Sequence, residues 1–207
     1  MNATNDNQVL LERADAGDPH ALGDLLEQSR ERLLQIVSFR MDPRLRSRID
    51  PSDVVQDAFM EATRRIGNGK RDDRIPFFLW MRLLTLQRLA ELHRSNLGVK
   101  ARDAGREVSI FSGPLPQATS AVIAAQLIGG LTSPSQAAMR VETRLTVEDK
   151  LNAMEELDRD VLVLRHFEKL SNLETAKVLN ITQSAASNRF IRALKKLKDN
   201  LQGEGFG

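Results

Sequence analysis

The stretch LSNLETAKVLNITQSAASNRFIRALKKLK, Leu170 to Lys198, decides the fold. Ser171 and Glu174 form S-x-x-E, in which the serine hydroxyl accepts from the amide three residues on while the glutamate reaches back to the serine amide. This predicts a short helix with Leu173, Ala176 and Leu179 on its inner side, Ala176 being small enough for a second helix to cross closely. Asn180 suits the left-handed backbone that ends such a helix. Ile181 is expected to plug the turn into the core, and Thr182 to cap the next helix. There Ala186, Phe190, Leu194 and Leu197 recur at spacings of 4, 4 and 3 and are expected to form the buried stripe. The opposite face carries Gln183, Ser184, Ser187, Asn188, Arg189 and Arg192, all able to reach phosphates or base edges. The pattern predicts a helix-turn-helix whose second helix suits the major groove. Any tight helix pair with a solvated basic face shares some of these features; cap, small residue, turn and basic helix in this order favour DNA binding.

Outward from this core, helical periodicity dominates and strand alternation is absent. Upstream, helices are expected over 141–156 and 159–169, with the second helix of the pair reaching about Leu201 and a frayed GEGFG tail. Near the N-terminus, Gln8 to Ala16 reads as a short helix stopped by Gly17. Asp18-Pro19 then supplies a cap and a first-turn proline for a helix to about Met41. Asp50-Pro51 repeats that start for a helix to about Ile66, which Gly67-Asn68-Gly69 ends. A polar loop, Lys70 to Arg74, precedes Pro76 and a strongly apolar helix from Phe77 to about Arg94. Between the halves, residues 98–140 are rich in Gly, Ser, Ala, Pro and Thr. This is the composition of a linker, with VIAAQLIGG as one short helix inside it. The fold class is therefore all-α: two small helical domains, 8–97 and 141–201, joined by a flexible linker, 98–140.

Composition removes several classes of function. With no Cys, disulfides, cysteine–zinc clusters, thiol nucleophiles and iron–sulfur ligation are excluded. The three histidines, 20, 93 and 166, never fall at a metal-ligand spacing, so no metal and no cofactor are expected. His93 and His166 read as helix-face or interface residues rather than catalysts, and no catalytic residue is assigned. No apolar run approaches the roughly 18 residues of a membrane span. MNATNDNQ lacks the parts of a signal peptide, so a cytoplasmic protein is expected, without membrane insertion. Thirty Lys and Arg against 28 Asp and Glu leave a formal charge of only +2. The distribution matters more than the sum. Arg189, Arg192, Lys195, Lys196 and Lys198 follow one another without an acid between them, whereas Glu155, Glu156, Asp158 and Asp160 form an acidic stretch upstream.

ELDRDVLVLRHFEKLSNLETAKVLNITQSAASNRFIRALKKLK resembles domain 4 of bacterial extracytoplasmic-function sigma factors, a group within the sigma-70 family. The N-terminal block resembles domain 2: DPSDVVQDAFMEA is similar to the family's acidic core-binding helix, and FFLWMRLLTLQRLAELHR to its promoter-melting helix. The resemblance covers 8–97 and 141–201. It implies a sigma factor, not an enzyme, with core RNA polymerase and promoter DNA as partners and an anti-sigma factor as a further partner that the residues do not identify. By this likeness Asp53, Gln56, Asp57 and Glu61, which share one face of their helix, dock on the polymerase. Lys70, Arg71 and Arg74 of the loop, with Gln87, Arg88, Glu91 and Arg94 of the apolar helix, meet the −10 element as its strands separate; Arg82 and His93 are further polar positions there. Asn is usual in the family where Gln87 stands, and Asp where Glu91 stands. Gln183, Ser184, Ser187, Asn188, Arg189 and Arg192 meet the −35 element. Arg44, Arg46 and Arg48 either steer nucleic acid or form a solvated loop.

Two rivals follow from the residues alone. A stand-alone helix-turn-helix regulator would bind an operator without polymerase, usually as a dimer. A helical hydrolase would use Asp53 and Asp57 with a metal, although no companion nucleophile, His pair or phosphate loop accompanies them.

Overall fold

The computed structural model describes residues 3–97, 120, 123–125 and 137–202, and the side chains of most of these. Every regular element among the described residues is helical. The chain divides into two compact units, Met1–Pro116 and Gln117–Gly207.

In the first unit, α1 spans Ala3–Asp15, α2 Pro19–Arg40, α3 Pro51–Gly67 and α4 Phe77–Leu97. The caps act as local chemistry demands. Asp18 accepts from the amides of His20 and Ala21, and Asp50 accepts from that of Ser52, each with proline opening the helix. Asp18 also takes the Arg13 guanidinium at 2.6 Å, which fixes the corner between α1 and α2. Gly17 and Gly69 adopt positive φ, 93° and 63°, where the chain leaves α1 and α3.

Helix α2 packs on α1, α3 and α4, and α3 packs on α4. Leu33, Ile36, Val37, Val54, Val55, Met81 and Leu89 are buried at their meeting point, each contributing about 1.5–3 kcal/mol through apolar burial. Helix α4 is apolar on nearly all sides because two helices cover it. That position also buries Arg82 and His93, which the sequence placed among polar positions open to DNA. His93 Nε2 instead accepts the Asp42 amide at 3.3 Å, and burial pushes its imidazole below the ordinary value. Arg32 stacks on the Phe78 ring at 3.6 Å.

In the second unit, α5 spans Ala137–Asn152, α6 Glu156–Leu162, α7 Asn172–Leu179 and α8 Gln183–Gln202. The helix expected to run to residue 156 stops at Asn152, because Met154 turns into the core and Glu155 opens α6. A five-residue π-turn, Val163–Phe167, follows α6 directly. It carries Arg165 to the Leu170 carbonyl and over the Phe190 ring. Lys169 then takes a positive φ of 55°. Helices α5, α6 and α7 all pack against α8. The linker expected at 98–140 lies mostly outside the described residues, as does the tail 203–207. Within the linker, residues 123–125 are helical, and Ser120, Ile123 and Ala124 are buried.

Candidate functional site

The turn between α7 and α8 is built as its sequence dictates. Glu174 N–H donates to the Ser171 hydroxyl at 3.1 Å and Ser171 N–H to the Glu174 carboxylate at 2.7 Å. Asn180 sits at φ 52°, and the Thr182 hydroxyl accepts from the Ala185 amide. The rotation of the two helices differs from expectation. Thr175, Ala176 and Val178 face inward, while Leu173 is 53 % exposed. On α8 the buried stripe is Ala186, Ala193 and Leu197, with Phe190 half-buried and Leu194 40 % exposed. A close helix crossing accepts alanine where the larger leucine would force the axes apart.

An acid on α6 accounts for that rotation. The Asp158 side chain is 0 % exposed and lies 3.0 Å from Arg189, 3.2 Å from Lys196 and 3.6 Å from Arg192. These cations stand at positions 189, 192 and 196, along one flank of α8. Arg189 also lies 3.4 Å from Glu155. Burial pushes the Asp158 carboxyl upward, but hydrogen bonds from Lys196 and Arg189 and the charge of Arg192 outweigh it and hold it below its ordinary value. The −35 candidates therefore separate. Gln183, Ser184 and Asn188 are exposed and Ser187 half-buried on the open side of α8, whereas Arg189 turns to α6 with only 27 % of its side chain exposed. Arg192, paired more loosely, keeps 54 % exposure. Lys195 and Lys198 are exposed. Ile191, unremarked in the sequence, stands among these polar groups.

In the first unit the acidic face of α3 and the polar stripe of α4 meet. Asp57 takes the Arg88 guanidinium at 2.8 Å, and Arg88 also reaches Glu91 at 3.2 Å. Glu61 is clasped by Arg64 and Arg65 at 2.7 and 2.6 Å, and their hydrogen bonds hold its carboxyl at about 2. These side chains, with Met60 and Gln87, line an open groove of about 470 Å³. Asp53 and Gln56 lie exposed farther along α3. Met60 is exposed on the same stripe; its spacing of seven from Asp53 and four from Gln56 could have revealed it.

The loop cations have unequal freedom. Arg71 forks onto Asp15 of α1 at 2.9 and 2.6 Å, leaving its side chain 8 % exposed. Arg74 pairs within the loop with Asp72 and stays exposed, as does Lys70. Arg94 is exposed at the end of α4. Arg44 pairs with Asp42, Arg46 donates to the Ser38 carbonyl, and Arg48 is exposed. Among the described residues no cluster of three or more His, Asp or Glu could hold a metal, and no helix is long and apolar enough to cross a membrane.

With this geometry in place, residues 144–197 match the family model for sigma-70, region 4. The chain is 27 % identical over 200 residues to the RNA polymerase sigma-H factor of Pseudomonas aeruginosa, covering 95 % of this chain and 94 % of that one. These likenesses support a sigma factor similar to those of the extracytoplasmic-function group of the sigma-70 family. A second relative, the ECF sigma factor SigD of Mycobacterium tuberculosis, is 27 % identical over 197 residues, covering 95 % of this chain and 84 % of that one. SigW of Bacillus subtilis is 22 % identical, covering 93 % and 95 %. Among solved structures, CnrH in complex with the cytosolic domain of CnrY has the same fold, with a TM-score of 0.51 and 23 % identity over 97 % of this chain and 99 % of that one. As a sigma factor, the protein directs transcription initiation by RNA polymerase.

Proposed function

We propose that the two units divide the work of promoter recognition. The first grips core polymerase through Asp53, Gln56, Asp57 and Glu61 on α3. It meets the opened −10 region through Lys70, Arg74, Gln87, Arg88, Glu91 and Arg94, while Arg71, forked onto Asp15, ties the loop to α1. The second reads duplex −35 DNA through Gln183, Ser184, Ser187 and Asn188, with Arg192 on a phosphate and Arg189 setting the helix. The observation carrying this reading is the open face of α8, where short hydrogen-bonding side chains line a capped helix and exposed lysines follow them. Such a face meets base edges at its start and phosphates farther on.

Each module alone binds weakly, and polymerase makes the second contact intramolecular once the first has formed. The chain makes or breaks no bond; catalysis belongs to the polymerase, in the cytoplasm. An anti-sigma partner fits this reading, as CnrY is the partner of CnrH in the solved complex.

Run-off transcription with core polymerase, with and without the chain, is the test. Arg192→Ala is expected to weaken −35-dependent initiation and leave core binding intact, and Asp53→Lys with Asp57→Lys to abolish core pull-down. Tight operator binding by the chain alone, with no effect on start-site choice, would instead establish the stand-alone regulator.

A further inference from the structure

Ile191 is 63 % exposed, the most exposed large apolar side chain among the described residues. Nothing in the fold requires it there. It lies on the side of α8 opposite the buried Ala186, Ala193 and Leu197. One turn before it stand Ser187 and Asn188, one turn after it Lys195 and the 40 % exposed Leu194, and Ser184 lies two turns back on the same face. Leu194 lies toward the buried stripe and is the less exposed of the two, so Ile191 is the apolar side chain that projects farther into the polar face. It is an apolar contact at the centre of a polar, positively charged face.

The major groove offers one apolar feature to such a side chain, the 5-methyl group of thymine. Every other base edge there presents donors or acceptors, which isoleucine can only desolvate without replacing their hydrogen bonds. The flanking chemistry identifies the occupant as duplex DNA rather than an apolar protein surface. Ser184, Ser187 and Asn188 offer hydrogen bonds to base edges, and Lys195 offers a charge to a phosphate. We propose that Ile191 is a specificity-determining residue that selects a thymine in the upstream promoter element by packing on its methyl group. This rests on the assignment of α8 to −35 DNA.

The test uses holoenzyme and an upstream element selected from a randomised library. At each A·T pair of that element, thymine is replaced by deoxyuridine, which lacks only the methyl. One position is expected at which the replacement lowers wild-type transcription about fourfold, the worth of one buried methyl. Ile191→Ala should be indifferent to that replacement, and Ile191→Val should keep most of the discrimination. The proposal is overturned if wild type ignores deoxyuridine everywhere, or if Ile191→Ala discriminates as wild type does. It is equally overturned if Ile191→Ala lowers transcription by the same factor on templates with a scrambled upstream element, which would mark a protein contact. If scrambling has no effect on wild type, the −35 assignment itself fails, an outcome distinct from failure at the methyl alone.

Discussion

Replacing Asp158 by asparagine keeps the shape of the side chain and removes its charge from beneath three cations. The carboxylate is wholly buried, so the cost depends on how much water each cation regains. Arg189 is mostly covered, and its charge-assisted hydrogen bond at 3.0 Å contributes about 1.5–3 kcal/mol. Lys196 and Arg192 are about half exposed and are solvated without the acid, so each adds only about 0–1 kcal/mol. Asp158→Asn should therefore destabilise the second unit by about 2–4 kcal/mol, less than the full penalty of stranding a buried ion. For a unit of this size that lowers Tm by roughly 10–25 °C. The chain provides its own control, because its one tryptophan, Trp80, lies in the first unit. Far-ultraviolet circular dichroism of the full chain should show one transition moved downward, while Trp80 fluorescence melts as in wild type. The low carboxyl pKa adds a second signature: its stabilisation is complete above the unfolded value and disappears as pH falls through the lower folded value. The variant should lack that acid dependence. A shift below about 3 °C, or an equal shift in Trp80 fluorescence, would refute Asp158 as the anchor of α8.

Two further outcomes are expected. Lys169→Gly should raise the melting temperature of the second unit, because φ 55° costs lysine about 1 kcal/mol and glycine almost nothing; an unchanged or lowered melt counts against backbone strain there. His93 is held neutral by burial, so the unfolded chain takes up its proton first as pH falls below 6.5. Stability monitored at Trp80 should decline from there until the depressed folded value is reached, and His93→Gln should remove that slope.

The parts legible in the sequence were those whose cause is local. Asp18-Pro19, Asp50-Pro51 and the Ser171–Glu174 box mark helix starts because cap and amide lie within three residues of each other. Asn180 and Gly69 mark ends for the same reason. What stayed hidden depends on distant partners. Arg71 meets Asp15 across 56 positions, Arg88 meets Asp57 across 31, and Arg189 meets Asp158 across 31. Periodicity alone preferred Leu194 to Ala193 as a core residue, since hydrophobicity scales reward size. The crossing of α8 with its neighbours rewards smallness. The same limit applies to Arg82 and His93: polarity suggested solvent, but the helix beneath two others leaves little solvent to face. Among the site residues, membership of a face was readable, whereas which of its charges are already engaged was not.

The bridge between Asp57 and Arg88 makes contact at that groove an exchange reaction rather than a simple addition. An incoming cation that takes Asp57 must give Arg88 another anion, and an incoming anion that takes Arg88 must do the same for Asp57. Swapping like for like returns little net free energy and makes the encounter less sensitive to ionic strength. A partner with the wrong spacing strands an ion and bears the full desolvation cost. The groove is thus guarded against casual polyions by its own internal neutrality, and it rewards a visitor that brings both charges in register.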